Sequence, residues 1–185
     1  MCDIGSASKT AHSPLFIPGQ ESANNASPGS SFIRKQIADT AVTYLSAATS
    51  ANGWTKPPGL KVHRERTRPL EKDALYDIVV YFEDEAPKPI GERYKAPLTE
   101  RDLGLVLDVR ALVPSGSSPD DVLDPLTTWA TYQIFSQESF GGIANGAEET
   151  GTSWFAREGD VLIAQATIRM RVKYRTSRID PSSKS

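Results

Sequence analysis

The scarce reactive side chains of this 185-residue chain are one cysteine, Cys2, and two histidines, His12 and His63. Catalysis by a nucleophile needs a base beside it and a group that holds developing charge. His12 lies in a Ser-, Asn- and Pro-containing stretch, and His63 is flanked by Lys61 and Arg64. Neither accompanies a serine or cysteine in a nucleophile-elbow pattern, so His63 reads as an edge or surface residue. No Walker-type or GxGxxG loop is present to cradle a phosphate, and Gly141-Gly142 alone reads as a turn. Asp102 and Asp108 offer two carboxylates, but six residues along one strand separate them by about 20 Å. That is too far for joint acid–base work on one bond, so they read as paired or solvated charges. Asp120, Asp121 and Asp124 have the composition of a metal site. Their position at a predicted helix start explains them better, as capping and dipole charges. No enzyme site assembles from these residues, and no metal or cofactor is expected.

The sharpest pattern is basic. Arg169, Arg171, Lys173 and Arg175 alternate along one face of the last predicted strand, and Arg64, Arg66 and Arg68 form a second group. Like charges on one strand face repel unless something answers them. One reading is a positive surface for DNA or for an acidic protein face. Another is cross-strand pairing with Asp102, Asp108, Glu83 or Glu85 on a solvated face. A third is cover by a neighbouring subunit. Only Tyr174 interleaves with the ladder, on the opposite face, which disfavours recognition of single strands by base stacking.

Composition narrows the classes further. The chain carries 21 Lys and Arg against 23 Asp and Glu, a net charge of −2, which excludes a generally basic nucleic-acid coat. A single cysteine excludes an internal disulfide framework. No run of 18 apolar residues and no leader-like N-terminus is found, so a soluble chain folding in a reducing cytoplasm is expected.

Any site must be positioned by the following elements. Residues 1–30 are small and polar around one apolar patch, Leu15, Phe16 and Ile17, and read as a flexible tail or an arm that docks on a neighbour. Ile33, Ile37, Ala41, Val42, Leu45 and Ala48 recur at helical spacing and predict a helix over 33–48. Residues 60–68 read as an edge strand, and Asp77 to Phe82 as a buried one. Four Gly and Pro positions make Glu83 to Pro97 a long loop. Leu98 to Val113 alternates strictly, with Leu103, Leu105, Leu107, Val109 and Ala111 on one face. Ser118, Pro119, Asp120 and Asp121 begin a second helix striped by Val122, Leu126, Trp129, Ala130 and Ile134. A second long loop is expected over Ser136 to Glu149, then a short strand from Thr150 to Arg157 and the longest strand from Val161 to Thr176. Trp129 and Trp154 read as core, with Trp54 covering a core edge. Adjacent strands without crossover helices imply an α+β fold: a mainly antiparallel or mixed sheet, two helices packed on one face, and an extended N-terminal arm. The expected division is an arm over 1–30, one domain over 31–176 and a polar tail over 177–185.

The order of these elements carries a resemblance. The phrases are Leu75-Tyr76-Asp77-Ile78-Val79-Val80-Tyr81, the charged Glu83-Asp84-Glu85, Glu100-Arg101-Asp102-Leu103, the helix after Asp120-Asp121-Val122, a Trp154-containing hairpin and the closing Tyr174-Arg175-Thr176. Together, over about residues 31–176, they resemble the tail terminator (tail-completion) proteins of long-tailed bacteriophages. The resemblance implies a virion protein at the neck-proximal end of the tail, assembled in the host cytoplasm. It implies a homohexameric ring that caps the tail tube, stops its growth and offers a surface to the head or neck. The implied partners are further copies of the chain, the tail tube protein, a neck or head-completion protein, and genomic DNA passing through the lumen without sequence recognition. No membrane partner is implied. On this reading Arg169, Arg171, Lys173, Arg175, Arg64 and Arg66 lie between subunits or near the lumen. A head-closure or neck connector protein, and a DNA-binding module using the basic strand face, are the competing readings.

Overall fold

The computed structural model describes residues 32–47, 50–51, 53–65, 75–90, 98–157 and 162–177. The arm with Leu15, Phe16 and Ile17, the residues His12, Cys2, Arg66 and Arg68, and most of the C-terminal tail lie outside the described residues.

Helix α1 (Ile33–Ala47) buries Ile33, Ile37, Ala38, Ala41 and Leu45, the stripe that its sequence spacing predicts. After it comes a small antiparallel hairpin, β1 (Ser50–Ala51) and β2 (Trp54–Thr55). Strand β3 (Lys61–Arg64) is shorter than the predicted 60–68 and runs parallel to β4 (Tyr76–Pro89). Strand β4 corrects the first long loop. Residues 83–89 continue the strand, paired with β5 (Leu98–Leu112) as far as Pro89 opposite Thr99. Pro87 and Pro89 are tolerated because β3 pairs only with Asp77 to Val80, so no described strand needs the missing N–H groups on that side.

Helix α2 (Pro119–Phe135) begins as its sequence specifies. Ser118 accepts a hydrogen bond from the Asp120 N–H, Pro119 takes the first helical position, and Asp120 and Asp121 occupy the first turn. Pro125 leaves the helix continuous, on its exposed side. The second long loop is also shorter than expected. Residues 136–145 form turns, in which Phe140 is fully buried and its ring lies 6.4 Å from that of Tyr44. Gly141 and Gly142 follow with φ of 71° and 83°, a backbone that glycine adopts without a Cβ penalty. Strand β6 (Gly146–Arg157) then starts four residues before the predicted Thr150, and β7 (Ile163–Ser177) closes the chain's sheet.

The sheet has five strands in the order β3-β4-β5-β7-β6, and the β3–β4 pair makes it mixed. This is the expected α+β class. Both helices cover one face. Ile78 and Val80, Leu103 to Ala111 at every second position, and Ala164 to Tyr174 likewise form one core with the α1 and α2 stripes. Trp129 is fully buried at its centre. At about 25 cal/mol per Å², burial of side chains of this size dominates the favourable side of folding. The opposite face carries the polar partners of the alternation. β6 and β3 are its two edges.

A candidate interaction surface

The basic ladder sits on the uncovered face of β7, and each cation meets an acid. Arg171 makes a two-pronged pair with Asp84, Nη1 to Oδ1 at 2.7 Å and Nη2 to Oδ2 at 2.9 Å. Arg169 Nε lies 3.5 Å from Glu83, and its Nη1 donates to Ser153 Oγ at 3.2 Å. Lys173 Nζ donates to Glu148 at 3.1 Å, and Arg175 Nε stands 3.8 Å from Glu100. The four cations therefore do not form an unanswered positive stripe. Asp84 reaches its partner across the whole of β5. Two features permit this. A bulge between Phe82 and Glu85 accommodates Glu83 and Asp84 where both can meet β7 arginines. Gly104, opposite Arg171 in the register, leaves the space that the Asp84 carboxylate occupies.

Asp102 and Asp108 are buried on this same face, and both are answered. Asp102 pairs with Lys88. Asp108 accepts from Gln165 Nε2 at 2.6 Å and from Arg110 Nε at 3.0 Å. Charge-assisted hydrogen bonds hold both carboxylates, with Asp102 Oδ1 buried and without a hydrogen-bond partner among the described residues. His63 faces the buried Asp77 across the β3–β4 pair, Nε2 to Oδ1 at 3.3 Å. Arg64 pairs with Asp39 on α1 at 2.7 Å, joining the edge strand to the helix above it.

A second polar group lies at the open end of the core. Glu85 Oε1 accepts from Tyr174 Oη at 2.6 Å and from Arg101 Nη1 at 2.7 Å, while Arg34 stands 3.9 Å from Oε2. Burial alone would push the Glu85 carboxyl up. The hydrogen bonds from Tyr174 and Arg101, with the charges of Arg101 and Arg34, outweigh it and hold the group below its ordinary value. The same burial, with the Glu85 contact, pushes the Tyr174 phenol well above its ordinary value. These groups, with Phe32 and Ile33, line a small cleft at the start of α1.

The other edge of the sheet has few internal partners among the described residues. β6 pairs only with β7 among the described residues, and most of its side chains are exposed. Trp154, read from sequence as core, is instead 51% exposed, and Phe155 is 61% exposed. Trp154 points to the helix side because its register partner Ala166 belongs to the core, whereas Phe155 faces Gln165 on the polar side. Between β6 and α2 runs a groove of about 510 Å³, where Thr128, Thr131, Tyr132 and Phe135 face Thr152 and Trp154. Sequence reading missed Tyr132, Phe155 and Gly104. A signal was present for β6. Glu148 to Ser153 has no apolar side chain, as an edge strand with little cover allows.

Among the described residues no group of three or more His, Cys, Asp or Glu side chains is placed to hold a metal ion, and no helix is long and apolar enough to cross a membrane. The surface combines a long strand edge with no second partner among the described residues, exposed aromatics and an adjoining groove. Comparison with known proteins finds no matching family model and no matching curated protein.

Proposed function

We propose that this chain is a bacteriophage tail terminator, a structural protein whose copies form a ring on the end of the tail tube, stop its growth and present a surface for joining the head or neck. The reading rests on the resemblance of residues 31–176, which is an argument by analogy. The single observation that supports it best is the β6 edge, which pairs only with β7 among the described residues and leaves Trp154 and Phe155 exposed, a surface suited to assembly. The alternative of a DNA-binding module loses support, because Arg169, Arg171, Lys173 and Arg175 are each matched by a carboxylate. Counterion release needs cations free to meet phosphates.

Negative-stain electron microscopy of particles made without this protein tests the proposal. Tails of uncontrolled, excessive length beside unattached heads are expected. Tails of normal length beside unattached heads would replace it with a neck connector. Intact infectious particles would overturn it.

A further inference from the structure

Charge is segregated along the strand order. From Pro119 to Ala156, covering α2, the turn after it and nearly all of β6, the sequence has six acidic residues and no basic one. They are Asp120, Asp121, Asp124, Glu138, Glu148 and Glu149. Residues 32–65, covering α1 to β3, have five basic residues, Arg34, Lys35, Lys56, Lys61 and Arg64, against two acidic ones. Helix α1 packs over β3 and β4, whereas α2 packs over β5, β7 and β6. Helix α1 and β3, with Arg34, Lys35, Lys61 and Arg64, therefore lie at one end of the sheet order β3-β4-β5-β7-β6 and α2 with β6 at the other, while the β1–β2 hairpin beside Lys56 packs on α2.

We infer that the α2–β6 end of one copy packs against the α1–β3 end of a second copy, head to tail. Three observations carry this. The first is the charge complementarity itself, since a contact of the acidic end with its own twin would set like charges against each other. The second is size. Twelve residues of β6 run for about 40 Å, which with the adjoining groove suffices for the roughly 800 Å² per partner of a stable interface. The third is chemistry. Trp154, Tyr132 and Phe155 give the acidic end exposed aromatic anchors, and Glu149 lines the groove beside Trp154 and Tyr132. A contact between two different surfaces of each copy leaves one of each free at the ends of any chain of copies, and it closes into a ring when the rotation allows. The inference deepens the proposed function and rests on it for closure of the ring. The pairwise contact rests on the charge segregation.

Charge exchange tests it. One variant carries Asp121→Lys, Asp124→Lys, Glu138→Lys and Glu149→Lys, which turns the acidic end net positive; the other carries Lys35→Glu with Lys61→Glu. Circular dichroism checks that both fold, and sedimentation velocity at low salt reads association. The wild-type protein is expected to associate with rising concentration, and to lose most of that association at about 0.5 M salt, where the screening length falls to a few ångströms. Each variant alone is expected to stay monomeric, because both of its ends then carry one sign. An equimolar mixture of the two is expected to associate again. A folded mixture that stays monomeric, variants that associate singly like the wild type, or a wild type still monomeric at about 1 mM, the regime of weak contacts, would overturn the inference. Overlong tails without the protein, together with failure here, would remove this contact and leave the tail-end reading. Normal tails without it, with charge exchange intact, would do the reverse.

Discussion

At Gly104 a Cβ atom would collide with Asp84 Oδ1, so a side chain there must dislodge the Asp84–Arg171 pair. Gly104→Ala is expected to cost about 1–3 kcal/mol. In an Asp84→Ala background the same substitution should cost much less, because the obstructing carboxylate is gone. Urea unfolding of the four proteins of this double-mutant cycle measures the coupling; additive costs would show that the glycine serves something else. Glu85 gives a prediction in pH. Its carboxyl is held below the ordinary value of 4.5, so its contribution to stability is present above that pH and is lost as pH falls through the lower folded value. Glu85→Gln should flatten the stability curve on the acid side of about pH 4.5. Chemical denaturation at a series of pH values reads this, and an unchanged slope would refute it.

The elements separate what pattern alone reveals from what it does not. Helix α1, helix α2 with its Ser118 cap, β5 and β7 were all legible, because one buried face imposes a period on their sequences. The second half of β4 was not, since Pro87 and Pro89 signal a loop unless one knows that the strand has no described partner on that side there. Gly146 to Glu149 hid the start of β6 for the same reason, an edge strand having no apolar face to betray it. The ladder of β7 was visible, and pairing across the sheet was among its readings. Its main partner Asp84 depends on a bulge that no local pattern announces. The two tryptophans looked alike in sequence and differ in the fold. Trp129→Ala should cost about 3–5 kcal/mol, as for a large core aromatic. Trp154→Ala should change stability by no more than about 0.5 kcal/mol while weakening association. Thermal melts beside sedimentation separate the two effects, and a large melting shift for Trp154→Ala would place that side chain in the core's energetics after all.

For the molecule as a whole, the pairing of strands that are distant in sequence has a kinetic consequence. Central strand β5 is bordered on one side by β7, in unbroken register from Leu98 opposite Ser177 to Leu112 opposite Ile163, and all of α2 and β6 lies between them in the chain. Strand β6 has no described partner except β7. A nascent chain therefore exposes the apolar row of β5 until residues 163–177 have emerged, and only then can the middle of the sheet close. Such non-local pairing makes folding slow and leaves partly made chains prone to aggregation. Substitutions that weaken β7 should consequently lower the yield of folded protein during synthesis by more than their equilibrium cost implies, a difference that chaperone co-expression would reduce.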